Sequence, residues 1–204
     1  TITNITAEDL EGITSVGQYA FARCNQLTNV VIPEGVTSIG QYAFNYCNRL
    51  ESITLPESLI TINNSAFRWA FYGSANVTID IPSSVTSIGD LAFGYSSVYA
   101  INFDETSNLS TIMDQAFIYC SQLQNIEIPG SVTEIGTQIL GFCTNLKTVT
   151  FESGSTLTEL PNDTFQSCSS LINVTLPENL PNIWQSVFYS CSALATINLT
   201  SSLT

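Results

Sequence analysis

Six cysteines, Cys24, Cys47, Cys120, Cys143, Cys168 and Cys191, each stand three residues after an aligned Phe or Leu in a stretch that keeps returning; AFARCNQL, AFNYCNRL and AFIYCSQL are three of its copies. Thiols so placed can pair as disulfides, ligate a metal, or pack as small apolar side chains. A disulfide needs Cβ atoms converging to about 3.5–4.5 Å, whereas equivalent positions on stacked units point in parallel. A metal site needs several ligands around one centre, and a 23-residue spacing without any histidine matches no zinc signature. Two other units fill the same place with Ala70 and Ser96, so the position asks for a small side chain rather than for sulfur. The column reads as a ladder of structural thiols, with disulfides between neighbouring units and metal or redox chemistry as the weaker alternatives.

Other chemistry is scarce. The absence of histidine removes Ser-His-Asp and Cys-His catalysis and the side chain best suited to proton transfer near neutral pH. There is no phosphate-binding glycine loop, and the serines have no base partner. The acidic pieces AEDLEG and FDETSN lack the alternating carboxylates and glycine of a calcium loop. No catalytic residue, cofactor or metal site is expected, and the chain is read as not an enzyme. Four Lys or Arg against seventeen Asp or Glu give a net charge of −13, so Arg23, Arg49, Arg68 and Lys147 cannot form the basic patch that nucleic acid or an anionic membrane requires. No apolar stretch is long enough to span a bilayer, and TITNITAEDL has no signal-peptide pattern.

The elements that carry these columns follow from the repeat, which decides the architecture before any local propensity does. Phe21, Phe44, Phe67, Phe93, Phe117, Leu140, Phe165 and Phe188 align at intervals of 23, 23, 26, 24, 23, 25 and 23 residues, giving eight units. Stretches such as LTNVVI, LESITL, LQNIEI and LKTVTF carry apolar residues at strand spacing and predict one short strand per unit. A proline often closes that strand, where a missing N–H does least harm. VTSIG and its copies predict a second short extended segment. QYAFNYC lacks alternation and predicts a helical or 3-10 turn back to the next strand. No unit buries its Leu, Ile and Phe alone, so the units must stack, strand on equivalent strand, in a parallel sheet.

The pattern I-P-x-x-V-T-x-I-G-x-x-A-F-x-x-C, repeated along the whole chain, resembles the BspA-like leucine-rich repeat family. The resemblance implies an α/β repeat solenoid, right-handed and curved, with a parallel β-sheet on the concave face and about eight 23–26-residue repeats over residues 1–204. It also implies a cell-surface or secreted protein that adheres to host matrix or surface proteins or to neighbouring cells.

If Leu, Val and Ile of each strand point inward, the residues between them form an exposed face in three columns. The first runs Thr28, Glu51, Val77, Tyr99, Gln124, Lys147, Ile172 and Ala195; the others are rich in Asn and Thr. Tyr99 and Ile172 are the large apolar exceptions, and Asn29, Asn102, Asn125, Thr148 and Asn173 supply donors and acceptors. These are the candidate protein-binding residues, together with Phe71 and Tyr72 in RWAFYGSAN, which breaks the repeat and either contacts a partner or folds back to plug the irregularity. Two N-x-S/T matches, Asn173 and Asn198, fall on the same face. Two other functions compete: a structural spacer projecting a flanking domain, and glycan or ice binding by the Thr/Asn-rich face. The end, INLTSSLT, matches IDIPSSVT and stops mid-repeat, so further protein is expected to flank the segment.

Overall fold

The computed structural model describes residues 2–178 and 180–198; of the closing INLTSSLT, the stretch from Leu199 onward lies outside them. Each repeat is one three-sided coil. Numbered in chain order, the longer strands are β1 (Asn4–Ile5), β3 (Asn29–Val31), β5 (Ser52–Thr54), β7 (Val77–Ile81), β9 (Val98–Phe103), β11 (Asn125–Ile128), β13 (Thr148–Phe151), β15 (Asn173–Thr175) and β17 (Thr196–Asn198). They alternate with two-residue strands: β2 (Ser15–Val16), β4 (Ser38–Ile39), β6 (Thr61–Ile62), β8 (Ser87–Ile88), β10 (Thr111–Ile112), β12 (Glu134–Ile135), β14 (Glu159–Leu160) and β16 (Asn182–Ile183). Every pairing is parallel and joins equivalent residues of adjacent coils, as in Asn29 with Ser52 and Ile39 with Ile62. The result is a β-solenoid of about eight stacked turns of about 23 residues.

The third side corrects the α/β expectation. Among the described residues there is no α-helix, and the helical element is one 3-10 turn, Glu8–Leu10. The AF segment is instead a chain of β-turns whose N–H groups alternate in direction. Ala20 and Ala22 donate within the coil, to Gly17 and Tyr19, while Tyr19, Phe21 and Arg23 donate to Gln41, Ala43 and Asn45 of the next coil. The alternation requires positive φ two residues before and two residues after the aligned Phe in every coil: Tyr19 and Arg23, Tyr42 and Tyr46, through to Ser186 and Ser190. A helix cannot form where the left-handed region recurs every fourth residue.

The coil interior is predominantly apolar. Val30, Ile39, Phe44, Leu50 and Ile62 and their copies are buried in one continuous core. The aligned rings stack through it, Phe44 on Phe67 at 5.3 Å and Phe67 on Phe93 at 5.1 Å between centroids; the stack pauses at Leu140 and resumes with Phe165 on Phe188.

The longer strands do not form one uninterrupted sheet. They divide into β1-β3-β5, β7-β9 and β11-β13-β15-β17, while the two-residue strands run unbroken from β2 to β12 and restart at β14-β16. One wall is therefore paired wherever the other is interrupted.

Candidate functional site

The insertion in the third coil creates the irregularity on which the site is built. Phe71 N–H donates to the Cys47 carbonyl and Gly73 N–H to that of Asn48, tying the extra residues back onto the preceding coil. Phe71 is fully buried with its ring 6.0 Å from Phe67, which removes it from the candidate contacts: its ring fills the space that the longer coil would otherwise leave empty. Tyr72 is 67% exposed and leans on Trp69. The coil that follows must regain register, and it does so with a β-bulge. Val77 pairs with Val98, but Thr78 pairs with Ala100, so Tyr99 is the extra residue. Val77 thus leaves the exposed column in which the sequence placed it; it is only 3% exposed and packs inward beside Val98.

A bulge twists its strand and re-aims the bulged side chain. Here β9 is longer than its neighbours and forms no ladder with β11. A recess of about 420 Å³ lies over that break, lined on the exposed face by Tyr99, Asn102, Asn125, Glu127, Thr148 and Thr150. Four residues proposed from sequence, Tyr99, Asn102, Asn125 and Thr148, thereby meet in one place. Tyr99 remains 37% exposed at its rim. Asn102 Nδ2 donates to Asp80 Oδ1 at 2.8 Å, Thr148 Oγ1 donates to Asn125 Oδ1, and Glu152 Oε2 accepts from Gly130 N–H at 2.8 Å. Two carboxylates, Glu127 and Glu152, and no cation line the recess.

The other candidates lie on the same wall outside the recess. Asn29 Nδ2 donates to Asn4 Oδ1 at 2.9 Å and Asn29 Oδ1 accepts from Ser52 Oγ at 2.8 Å. Asn173 is the register partner of Thr148, and Ile172 projects exposed beside it. Glu127 and Thr150 were not singled out from sequence; the signal was their place in the exposed columns, which looked no different from that of their copies.

The thiols belong to the turn segment of each coil. All six are free. Each of Cys47, Cys120, Cys143, Cys168 and Cys191 donates to the carbonyl of the aligned residue one coil earlier, at 3.0–3.2 Å, as in Cys47 Sγ to Phe21 O. Burial pushes the thiols of Cys47, Cys120 and Cys168 up to about 12 and that of Cys143 well above its ordinary value. The neighbouring residues form an outer aromatic ladder, Tyr46, Trp69, Tyr95, Tyr119 and Phe142, stacked at 4.5–5.9 Å. Its ring faces are covered by one another and, at Tyr46 and Tyr95, by the guanidinium groups of Arg23 and Arg68.

Among the described residues no group of three or more His, Cys, Asp or Glu is placed to hold a metal ion, and no helix is long and apolar enough to cross a membrane. The arrangement offers hydrogen-bond donors and acceptors, one aromatic edge and negative charge.

The pattern described as the BspA type leucine rich repeat region matches six copies, over residues 1–106 and 101–204. No curated protein matches the chain. Among solved structures, the leucine rich repeat protein of T. pallidum is 27% identical, with 94% of this chain and 76% of that chain covered and a TM-score of 0.65. The pneumococcal vaccine antigen PcpA is 22% identical, with 100% and 57% covered and a TM-score of 0.65; it shares the fold. A leucine rich cell surface protein of Faecalibacterium prausnitzii is 26% identical, with 95% and 66% covered and a TM-score of 0.47. This chain spans 57% of the PcpA chain and 66% of the Faecalibacterium one.

Proposed function

The chain belongs to the BspA type leucine-rich repeat family, and from that premise we propose that it is a non-catalytic recognition module of a cell-surface or secreted protein, binding host or neighbouring-cell proteins through the face of its longer strands. One observation carries the reading: where β9 carries a bulge and forms no ladder with β11, a recess opens beside an exposed tyrosine and gathers hydrogen-bond donors, acceptors and carboxylates suited to binding. Extended sheet faces are where solenoids usually bind.

The test immobilises the domain and measures binding to extracellular-matrix and plasma proteins, beside Tyr99→Ala and Ile172→Ala. Saturable binding that weakens at least tenfold in a folded Tyr99→Ala variant is the expected result. A partner that both variants bind as tightly as the wild type moves recognition off this face.

A second reading, a spacer that projects a flanking domain, is favoured by a different observation. Away from the recess the polar side chains satisfy one another from coil to coil, as in Asn4 with Asn29 and Asn29 with Ser52. Such ladders stabilise the stack and leave little for a ligand. A protein that binds nothing in any panel, and tolerates substitution across the face, is a spacer.

A further inference from the structure

We infer that the recess between β9 and β11 is a receptor for an arginine side chain carried on an extended segment of a partner protein; the inference rests on the recognition reading above and names the chemistry of its ligand.

The argument begins with the backbone. In these parallel ladders alternate residues point to the preceding and to the following coil. Asp104 N–H donates back to Ile81, so Asn102 and Asp104 face β7 and the residues between them, Ile101 and Phe103, face β11. On the other side Lys147 N–H donates to Gln124 O and Glu152 N–H to Ile128 O, so Gln124, Ile126 and Ile128 face β13 and Asn125 and Glu127 face β9. No ladder joins β9 to β11. The peptide groups of Ile101, Phe103, Asn125 and Glu127 therefore line a slot instead of bonding across it. Peptide groups left out of a ladder in this way are available to a ligand.

A slot with carbonyl acceptors in its floor selects a donor-rich ligand, and the side chains above it set the charge. Glu127 stands in the exposed column with no hydrogen-bond partner among the described residues, and Glu152 lies at the far wall. Asp80, which accepts from Asn102, adds a third carboxylate near the recess. The wider surface favours the same approach, because seventeen acids outnumber four bases. Tyr99 supplies the remaining element: its re-aimed ring stands at the rim, where a planar guanidinium can stack on it. A guanidinium brings five donors in one plane and satisfies carbonyls and a carboxylate together, whereas an ammonium offers a compact point charge with no plane to stack. The recess holds one long side chain of the partner, carried on an extended segment that crosses the exposed face.

The experiment titrates the 15N-labelled protein with acetyl-Ser-Gly-Arg-Gly-Ser-amide and with the same peptide carrying citrulline, which keeps the shape and removes the charge. The expected result is saturable shifts of the amides of Ile101, Phe103, Asn125 and Glu127, a Kd at least tenfold weaker for the citrulline peptide and for Glu127→Gln, and an unchanged Kd for Glu8→Gln, whose carboxylate lies far along the solenoid. The lysine counterpart should bind more weakly than arginine, and more weakly still to Tyr99→Ala. Equal binding of the citrulline peptide overturns the inference, as do shifts scattered over the acidic surface and indifferent to Glu127, or no shifts at all. A matrix protein that needs Tyr99 while the arginine peptide moves nothing would leave the recognition reading standing and sink this one. An arginine peptide seated in the recess of a protein that binds no partner in the panel would support the arginine site and count against the panel proteins as its partners.

Discussion

The thiols show how a residue type can look chemical and act structurally. Cys143 sits in an apolar column between Cys120 and Cys168, its sulfur donating to the Phe117 carbonyl, and burial followed by the neighbouring thiols raises its pKa well above the ordinary value. Since the thiolate is the nucleophile, native Cys47, Cys120, Cys143 and Cys168 should resist Ellman's reagent at pH 8, with only the half-buried Cys24 and Cys191 reacting slowly; rapid modification of four or more thiols in the folded protein would contradict the burial. The raised values also fix a pH dependence. Below pH 9 the thiols are protonated folded or unfolded and stability does not depend on them. Above it the unfolded chain releases protons that the folded one retains, so stability falls from about pH 9 to about 12, and urea midpoints at pH 8 and pH 10.5 should differ by less in a Cys120→Ala, Cys168→Ala variant. The cysteine column was readable from sequence because Ala70 and Ser96 substitute for it. The left-handed residues were not, because Tyr, Gln, Asp and Ser occupy them rather than Gly or Asn. Exposed Ser186, at φ 59°, makes the conformation measurable: Ser186→Gly should raise stability by about 0.5–1 kcal/mol by thermal unfolding, and Ser186→Val should lower it by more.

Elements here are defined by what the next coil does to them. A Cβ on Gly40 would lie 2.6 Å from the Val16 carbonyl oxygen and 2.8 Å from the Gln18 nitrogen, both backbone atoms of the coil before, whereas a Cβ on Gly17 meets nothing. Gly40→Ala should therefore cost about 1–3 kcal/mol in chemical denaturation and Gly17→Ala almost nothing, although the two glycines are copies in sequence. Asn63, Met113, Pro161 and Trp184 at the same place in other coils show that a coil can be laid down around a side chain; Gly40 has not been. In the ring column, Phe93→Ala should cost about 3–5 kcal/mol, since the ring is fully buried between Phe67 and Phe117. Strands were legible because they alternate apolar and polar residues. The turn segment was misjudged as helical because absence of alternation is the only sign both share, and what excludes a helix, N–H groups bonding to the next coil, is not a property of one repeat. The bulge at Tyr99 escaped for the same reason: its strand, VYAINF, reads as an ordinary strand until it is set against β7.

At the scale of the molecule, cohesion passes between walls. Where the long strands part, between β5 and β7 and between β9 and β11, the short strands β6-β8 and β10-β12 still pair; where the short strands part, between β12 and β14, the long pair β11-β13 holds. The number of coils was legible from the aligned Phe column, but the breaks, and the recess one of them opens, come from register between coils that differ by only a few residues in length. What the whole surface does with its charge is the remaining consequence. The cations are occupied by neutral groups, Arg23 and Arg68 by tyrosine rings, Arg49 by Gln26 and Lys147 by Gln124, so a net charge of −13 is left to repel itself along a narrow stack. Unfolding lets those carboxylates separate, and salt weakens the repulsion as the screening length shrinks from about 30 Å at 0.01 M to about 3 Å at 1 M. The melting temperature should rise by several degrees between those concentrations of NaCl. Replacing Glu8, Glu11 and Glu105 with Gln should raise the low-salt value and flatten the dependence. A melting temperature that falls as NaCl is added would mean that attractive pairs, not self-repulsion, dominate this surface.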